Sequence, residues 1–325
     1  MAFKLNSKIQ LGDYSLKGGV NEIVVKRSVN SYMDTATIKI PALGRVLQND
    51  ALPQSSVESA KQFKEGDRVV IHLGYNGELV REFDGFIRRV SPAIPVVLEC
   101  EGFGWQLRRK RFLISWKSTT LLEVLQHLVK DTDVKLSGFI PTVKLTNFAL
   151  RNVNGLEVLD YFKKKMLLTA YFNFNELYVG LQQGVLKETV SLRLGWNVLR
   201  DDQLKYRLAD DTRVLVRLVT GKGKKNKRLL YEVGDKDGVL REITIPNITD
   251  QSWLQRTAAD ALAKAKFTGY EGSITCFLQP FIEPSCVAKI IDKKYNRGGS
   301  YMVMSTEVSY GMNGARRKIE IGRSL

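Results

Sequence analysis

Apolar and polar positions alternate through the first hundred residues. DTATIKIP, residues 34–41, puts Ala36, Ile38 and Ile40 on one face and Thr35, Thr37 and Lys39 on the other. That period of two predicts a half-buried strand. IQLGDYSL (residues 9–16) and NEIVVKRSV (residues 21–29) read the same way around the turn-like LKGG. A polar stretch follows, GRVLQNDALPQSSVESAKQF, which is long for a loop in a compact domain. Then EGDRVVIHLGYNGELVREFDGFIRRVSPAIPVVLECEGF predicts three strands. The first reverses tightly at Asn76-Gly77, where Gly accepts positive φ and Asn tolerates it. The second carries Phe83, Gly85 and Ile87 on one face and ends at Pro92 and Pro95.

From residue 105 to about 182 the period changes. STTLLEVLQHLVKD spaces Leu121, Leu122, Leu125, Leu128 and Val129 as a helix does, with Ser118 or Thr119 as N-cap. NGLEVLDYFKKKM repeats the pattern through Leu156, Leu159 and Phe162, capped by Asn154. LTAYFNFNELYVGL predicts a hairpin turning at residues 173–176, so this stretch reads as a small α/β unit. β character then returns in VSLRLGWNVL, RVLVRLVTG and KRLLYEVG, and GDKDG marks a turn before VLREITIP. One helix interrupts, DQSWLQRTAADALAKAKF, with Asp250 as N-cap and Ala-rich propensity.

The three-strand unit recurs near the chain's end, in PSCVAKIIDKKYNRGGSYMVMSTEVSYGMNGARRKIEIGRSL. Tyr75-Asn76 matches Tyr295-Asn296; residues 83–90 match 301–308, each followed by Ser (Ser91, Ser309). Leu98-Glu99-Cys100 matches Ile319-Glu320-Ile321. Chance similarity between β-meanders is the alternative to duplication. If the copies are homologous barrels, a trimer would present six similar barrels in a closed ring.

Composition narrows the class. The 325 residues suit two or three domains, and 44% apolar content fits a folded chain. The first residues lack an apolar signal region, and no run is long enough to span a membrane as a helix. Cys100, Cys276 and Cys286 lack CxxC spacing and read as free thiols. The net charge of +16 favours nucleic acid, an anionic surface or an acidic protein partner without choosing among them.

The chain resembles the baseplate hub proteins of contractile phage tails and related injection machines, the late control protein D and Mu-like tail hub group. The resemblance rests on GDRVVIHLGYNGELVREFDGFIRRVSP with VVLECEGFGWQLRR, on LRNVNGLEVLDYFKKKMLLTAYFNFNELYVG, on LGWNVLRDDQLKYR and on YMVMSTEVSYGMNGARRKIEIG, in that order. It implies an α+β, mainly β fold: two similar tail-tube-like antiparallel β-barrel domains with an inserted small α/β domain and a further helical insertion. The expected division is residues 1–104 for the first barrel, 105–182 for the α/β domain and 183–325 for the second barrel, with the insertion around 247–269. It also implies a structural role: a homotrimeric, pseudo-hexameric ring that adapts a six-fold tail tube protein to a three-fold spike. The spike is expected as a separate polypeptide, because the chain stops right after the second barrel. Baseplate wedge proteins are further expected partners, with DNA or an effector passing through the lumen. The expected location is a virion or injection-machine baseplate assembled in a bacterial cytoplasm, without stable membrane insertion.

Catalytic chemistry is not signalled. No GxSxG, HExxH, Walker A or zinc-ligand spacing occurs, so no catalytic residue, metal or cofactor is expected. His72 and His127 sit within predicted regular elements and read as structural. Glu99 and Glu101 share a strand face and could be mistaken for a catalytic pair, but the second copy lacks it. Two basic runs remain as candidate contact loops: Arg108, Arg109, Lys110 and Arg111 after the first barrel, and Lys222, Lys224, Lys225, Lys227 and Arg228 between two strands of the second. They are either solvated loops or contacts to DNA phosphates or an acidic partner. A basic nucleic-acid-binding protein outside any tail is the alternative function, and a tail-borne cell-wall hydrolase is a third.

Overall fold

The computed structural model describes residues 4–16, 19–44, 47–48, 57–181, 186–220, 229–245 and 251–325. It is mainly β. Two six-strand units account for the two ends of the chain. The first comprises β1 (Leu5–Leu11), β2 (Glu22–Ser28), β3 (Thr35–Ile40), β4 (Arg68–Tyr75), β5 (Glu78–Ser91) and β6 (Val96–Glu101). The second comprises β7 (Thr189–Arg193), β8 (Val198–Arg207), β9 (Gly269–Cys276), β10 (Val287–Asp292), β11 (Arg297–Gly311) and β12 (Gly314–Ser324). The hydrogen-bonded order is β2-β3-β6-β5-β4-β1 in the first and β8-β9-β12-β11-β10-β7 in the second. Each of these six strands of the first unit thus has its counterpart six strands later; beyond β1 the first unit adds two short strands, Tyr14–Leu16 and Leu47–Gln48, that have none. One pairing differs: β1 runs antiparallel to β4, whereas β7 runs parallel to β10.

The meander read from sequence is therefore duplicated, within a larger repeat. Asn76 and Asn296 both adopt positive φ, 53° and 48°. The ladders revise one detail of the sequence match. Leu98 pairs with Val90, whereas Val308 pairs with Arg317 and Ile319 with Thr306. The copies are offset there by an even step, so Leu98 and Ile319 still face inward and both are fully buried.

The two units are hydrogen-bonded to each other. Residues 305–311 of β11 form an antiparallel ladder with residues 22–28 of β2. The N-terminal end of β11 pairs with β10 instead, so β2 takes over that edge where β10 stops. Each unit packs around a core, and the first core also takes in Val308, Tyr310 and Ala315 of the second unit's β11 and β12. Ile9, Ile23, Val25, Ile38, Ile71, Phe83 and Leu98 fill the first, and Leu192, Ile274, Ile290, Tyr301, Val303 and Ile319 the second. Full burial of one such side chain is worth about 1.5–3 kcal/mol, which makes the alternation decisive for register.

The helices and the hairpin of the middle segment form where the periodicity predicts them, while strands Arg111–Thr120 and Lys144–Asn154, which it does not signal, pair antiparallel with each other. Helices Leu121–Val129 and Gly155–Met166 pack Leu125, Leu128, Leu159 and Phe162 into a third core. The hairpin of Thr169–Asn173 and Glu176–Gly180 lies where it was expected. Asn154 caps the second helix in a capping box with Glu157. The first helix is capped by Thr120, not Ser118 or Thr119. Residues 118 and 119 are still paired in strand Arg111–Thr120, and only Thr120 stands three residues before Glu123, which completes the box.

Two further expectations change. VSLRLGWNVL is two strands, β7 and β8, because Gly195 turns the chain at φ 75° and Asn197 Oδ1 accepts the Arg193 N–H. The strands of RVLVRLVTG, KRLLYEVG and VLREITIP do not join the second unit. Val214–Thr220 pairs with Leu230–Gly234 and Val239–Ile245 in a separate three-stranded sheet. Val214, Val216 and Leu218 pack with Trp253, Leu254 and Ala258 of helix Gln251–Ala265, in the same core as Leu125 and Phe162. The insertion between β8 and β9 thus includes a sheet as well as the helix. Asp250, its expected cap, lies outside the described residues. Among the described residues no helix is long and apolar enough to cross a membrane.

Candidate functional site

The first basic run is engaged within the chain. Arg108 pairs with the buried Glu101 carboxylate at 2.7 Å, and Arg109 pairs with Glu65 at 3.2 Å while its guanidinium covers Trp105. Lys110 donates to the Lys130 carbonyl, and Arg111 to the Asn152 carbonyl at 2.8 Å. These cations stitch helix Gly104–Arg109 to its neighbours, so this run is tied down by its own fold. Lys222, Lys224, Lys225, Lys227 and Arg228 lie outside the described residues.

Glu101 also meets Arg88 at 3.2 Å, so the Glu99/Glu101 arrangement is an arginine-paired carboxylate beside a half-buried neighbour. His72 stays half-buried in β4, and burial together with Arg81 and Lys8 holds its pKa below the ordinary value. His127 packs edge-on against Phe112 and Trp116. All three cysteines are buried free thiols, each pushed up by burial, Cys276 to about 11. A thiol held protonated is a poor nucleophile.

The concentrated chemistry lies instead where the units meet. Arg317 of β12 is fully buried and donates to both Glu82 oxygens of β5, at 3.1 and 2.6 Å. Arg27 of β2 is equally buried. It donates to Glu283 at 2.8 Å and Asn173 at 3.0 Å, and it reaches Asp34 at 3.4 Å. Its guanidinium covers one Phe174 contact at 4.2 Å and Arg81 another at 3.9 Å. One arginine therefore joins the first unit to the hairpin of the middle segment and to the chain just before β10. Burial raises the Asp34 pKa to about 6, more than Arg27 lowers it; Arg27 and Lys187 hold Glu283 below its ordinary value despite burial.

Sequence reasoning overlooked both arginines, although each carries a signal. Ile23, Val25 and Arg27 share one strand face, as do Ala315, Arg317, Ile319 and Ile321. A lone arginine at an inward position of an apolar alternation needs a buried partner.

Solved structures share this fold over nearly the whole chain. The tail protein of Neisseria meningitidis MC58 superposes at a TM-score of 0.67 and 13% identity, covering 98% of this chain and 96% of that one. The fold is a tail protein's. The 43 kDa tail protein of prophage MuSo2 from Shewanella oneidensis matches at 0.63 and 16%, covering 98% of both chains. The tail-protein fold extends to the E. coli c3393 protein, a type VI secretion component described as similar to T4 tail proteins gp27 and gp5. That match has a TM-score of 0.56 and 8% identity, over 99% of this chain and 77% of that one. No protein-family model matches the chain, and no curated protein does.

Proposed function

We propose that the protein is the structural hub of a phage-like tail baseplate. Three chains close into a ring of six similar units that adapts a six-fold tube to a three-fold spike and passes DNA or an effector. The observation that carries this reading is the repeat itself. The same six-strand order occurs twice and is joined in one chain by a strand ladder. A three-chain ring of such pairs has six similar wall elements while keeping three-fold symmetry. The fold shared with phage tail proteins and a type VI secretion component supports it. The work is geometric and not enzymatic, and wedge proteins surround the ring.

Multi-angle light scattering on the purified protein tests the reading. The expected particle has three times the 36.8 kDa chain mass and an annular outline in electron micrographs. A monomer that stays monomeric when concentrated and when mixed with tube protein would overturn it.

A further inference from the structure

The two units present their turns at the same two ends of the sheet. Four antiparallel steps lead from β11 through β2, β3 and β6 to β5, so β11 and β5 run in the same direction. The turns entering them, Asn76-Gly77 and residues 293–296, therefore lie at one end. The turns leaving them, residues 92–95 and 312–313, lie at the other. At that second end each unit holds out one apolar side chain, Ile94 at 90% exposure and Met312 at 87%, although the turns differ in length, four residues against two.

At the first end the turns differ as well. In the first unit Tyr75 pairs with Glu78 across a two-residue turn, and Asn76 and Asn6 satisfy backbone donors around it. In the second unit Asp292 pairs with Arg297, so the turn has four residues, including Lys293, Lys294 and Tyr295. A cavity of about 700 Å³ opens beside it, lined also by Trp196 and Tyr206. Trp196 is 78% exposed and Tyr295 59%.

The cavity is cationic. Arg193, Lys293, Lys294 and Arg297 line it, and among the described residues none is within ion-pair distance of a carboxylate. Of the two acids present, Asp292 is occupied by the Tyr270 hydroxyl and the N–H groups of Lys294 and Tyr295, which leaves Asp201. The exposed rings already carry cations: Arg297 lies 4.2 Å from Tyr206, Lys294 5.1 Å from Tyr295 and Arg193 5.7 Å from Trp196. Exposed rings beside cations also suit a single nucleic-acid strand, which makes oligothymidylate the competing occupant. Cations held in place over rings are ready to pair with carboxylates.

We propose that this cavity is the docking site for an acidic segment of a protein partner. That the occupant is a protein rests on the hub reading, in which the chain's standing partners are proteins; the affinity of the cavity for carboxylates does not.

The test uses the full chain, a labelled oligoglutamate peptide and an oligothymidylate of equal length, at about 0.15 M salt. Lys293→Glu/Lys294→Glu is expected to weaken oligoglutamate binding about tenfold or more. Lys135→Glu/Lys144→Glu carries the same charge change on exposed residues elsewhere and is expected to weaken it less than about twofold. Circular dichroism confirms that both variants fold. Equal loss in both variants, no peptide binding by the parent, or tighter oligothymidylate binding that the cavity substitutions abolish would each overturn the proposal. Light scattering on the same samples separates the two readings. A monomeric parent that still binds peptide through the cavity removes the hub and keeps the site, while an intact ring without peptide binding removes the site and keeps the hub.

Discussion

At the scale of single residues, the buried arginines set the energetics of the junction. Arg317 and Glu82 are 1% and 2% exposed, and removing one partner strands the other charge without water. Arg317→Met is expected to cost about 3–5 kcal/mol in chemical denaturation, and Glu82→Gln/Arg317→Met to recover most of that loss. Equal losses in the single and double variants would contradict the pairing. Asp34 gives a pH signature of opposite sign to most paired carboxylates. Its folded pKa is raised to about 6 from 3.8, so the folded chain takes up a proton before the unfolded chain does. That uptake adds stability as pH falls through 6, and the contribution is complete below 3.8. The stability of the parent relative to Asp34→Asn should therefore grow as pH is lowered across this window, as read by thermal unfolding. The positions of Arg27 and Arg317 on apolar faces are visible in the alternation. Their partners are not, because Glu82 and Glu283 lie 235 and 256 residues away along the chain.

At the scale of elements, local patterns determine much of what forms. Alternation fixes strands such as β3, and Asn154 with Glu157 announces a helix start in four letters. Where sequence reading strayed, a long-range contact decided. Residues 118 and 119 read as a helix cap, but the ladder to residues 144–146 carries the strand on through Thr120, so the helix starts only after it. Val214–Thr220 alternates like a barrel strand, yet Trp253 and Leu254 draw it into the central core. Alternation identifies a buried face without saying what buries it. The ladder between β11 and β2 gives a sharper case. A Cβ on Gly311 would meet the Asn21 carbonyl oxygen at 2.4 Å. Gly311→Ala is expected to cost about 1–3 kcal/mol by forcing these backbones apart, seen as a lower melting temperature and faster proteolysis between the units. An unchanged melting temperature would mean that the ladder yields without cost.

At the scale of the whole molecule, the charge of +16 matters less as a sum than by where it is placed. Arg108 and Arg109 are occupied by Glu101 and Glu65, while the cavity beside Tyr295 leaves its cations open. Neutralising Lys222, Lys224, Lys225, Lys227 and Arg228 to Gln should leave the assembled mass unchanged. It should alter retention on duplex DNA at about 0.15 M salt less than about twofold. A steep loss of DNA retention would instead favour a nucleic-acid-binding protein. The sequence alone determined most of the strands, the two central helices and the Asn76 turn, since each is written in residues close together, and it raised the repeat with chance similarity as the alternative. Only the tertiary structure decided the extent of that repeat, the ladder joining its halves, the sheet drawn into the central core and the buried partners of Arg27 and Arg317. Those depend on which distant surfaces exclude water together, and a local period carries no record of its partner.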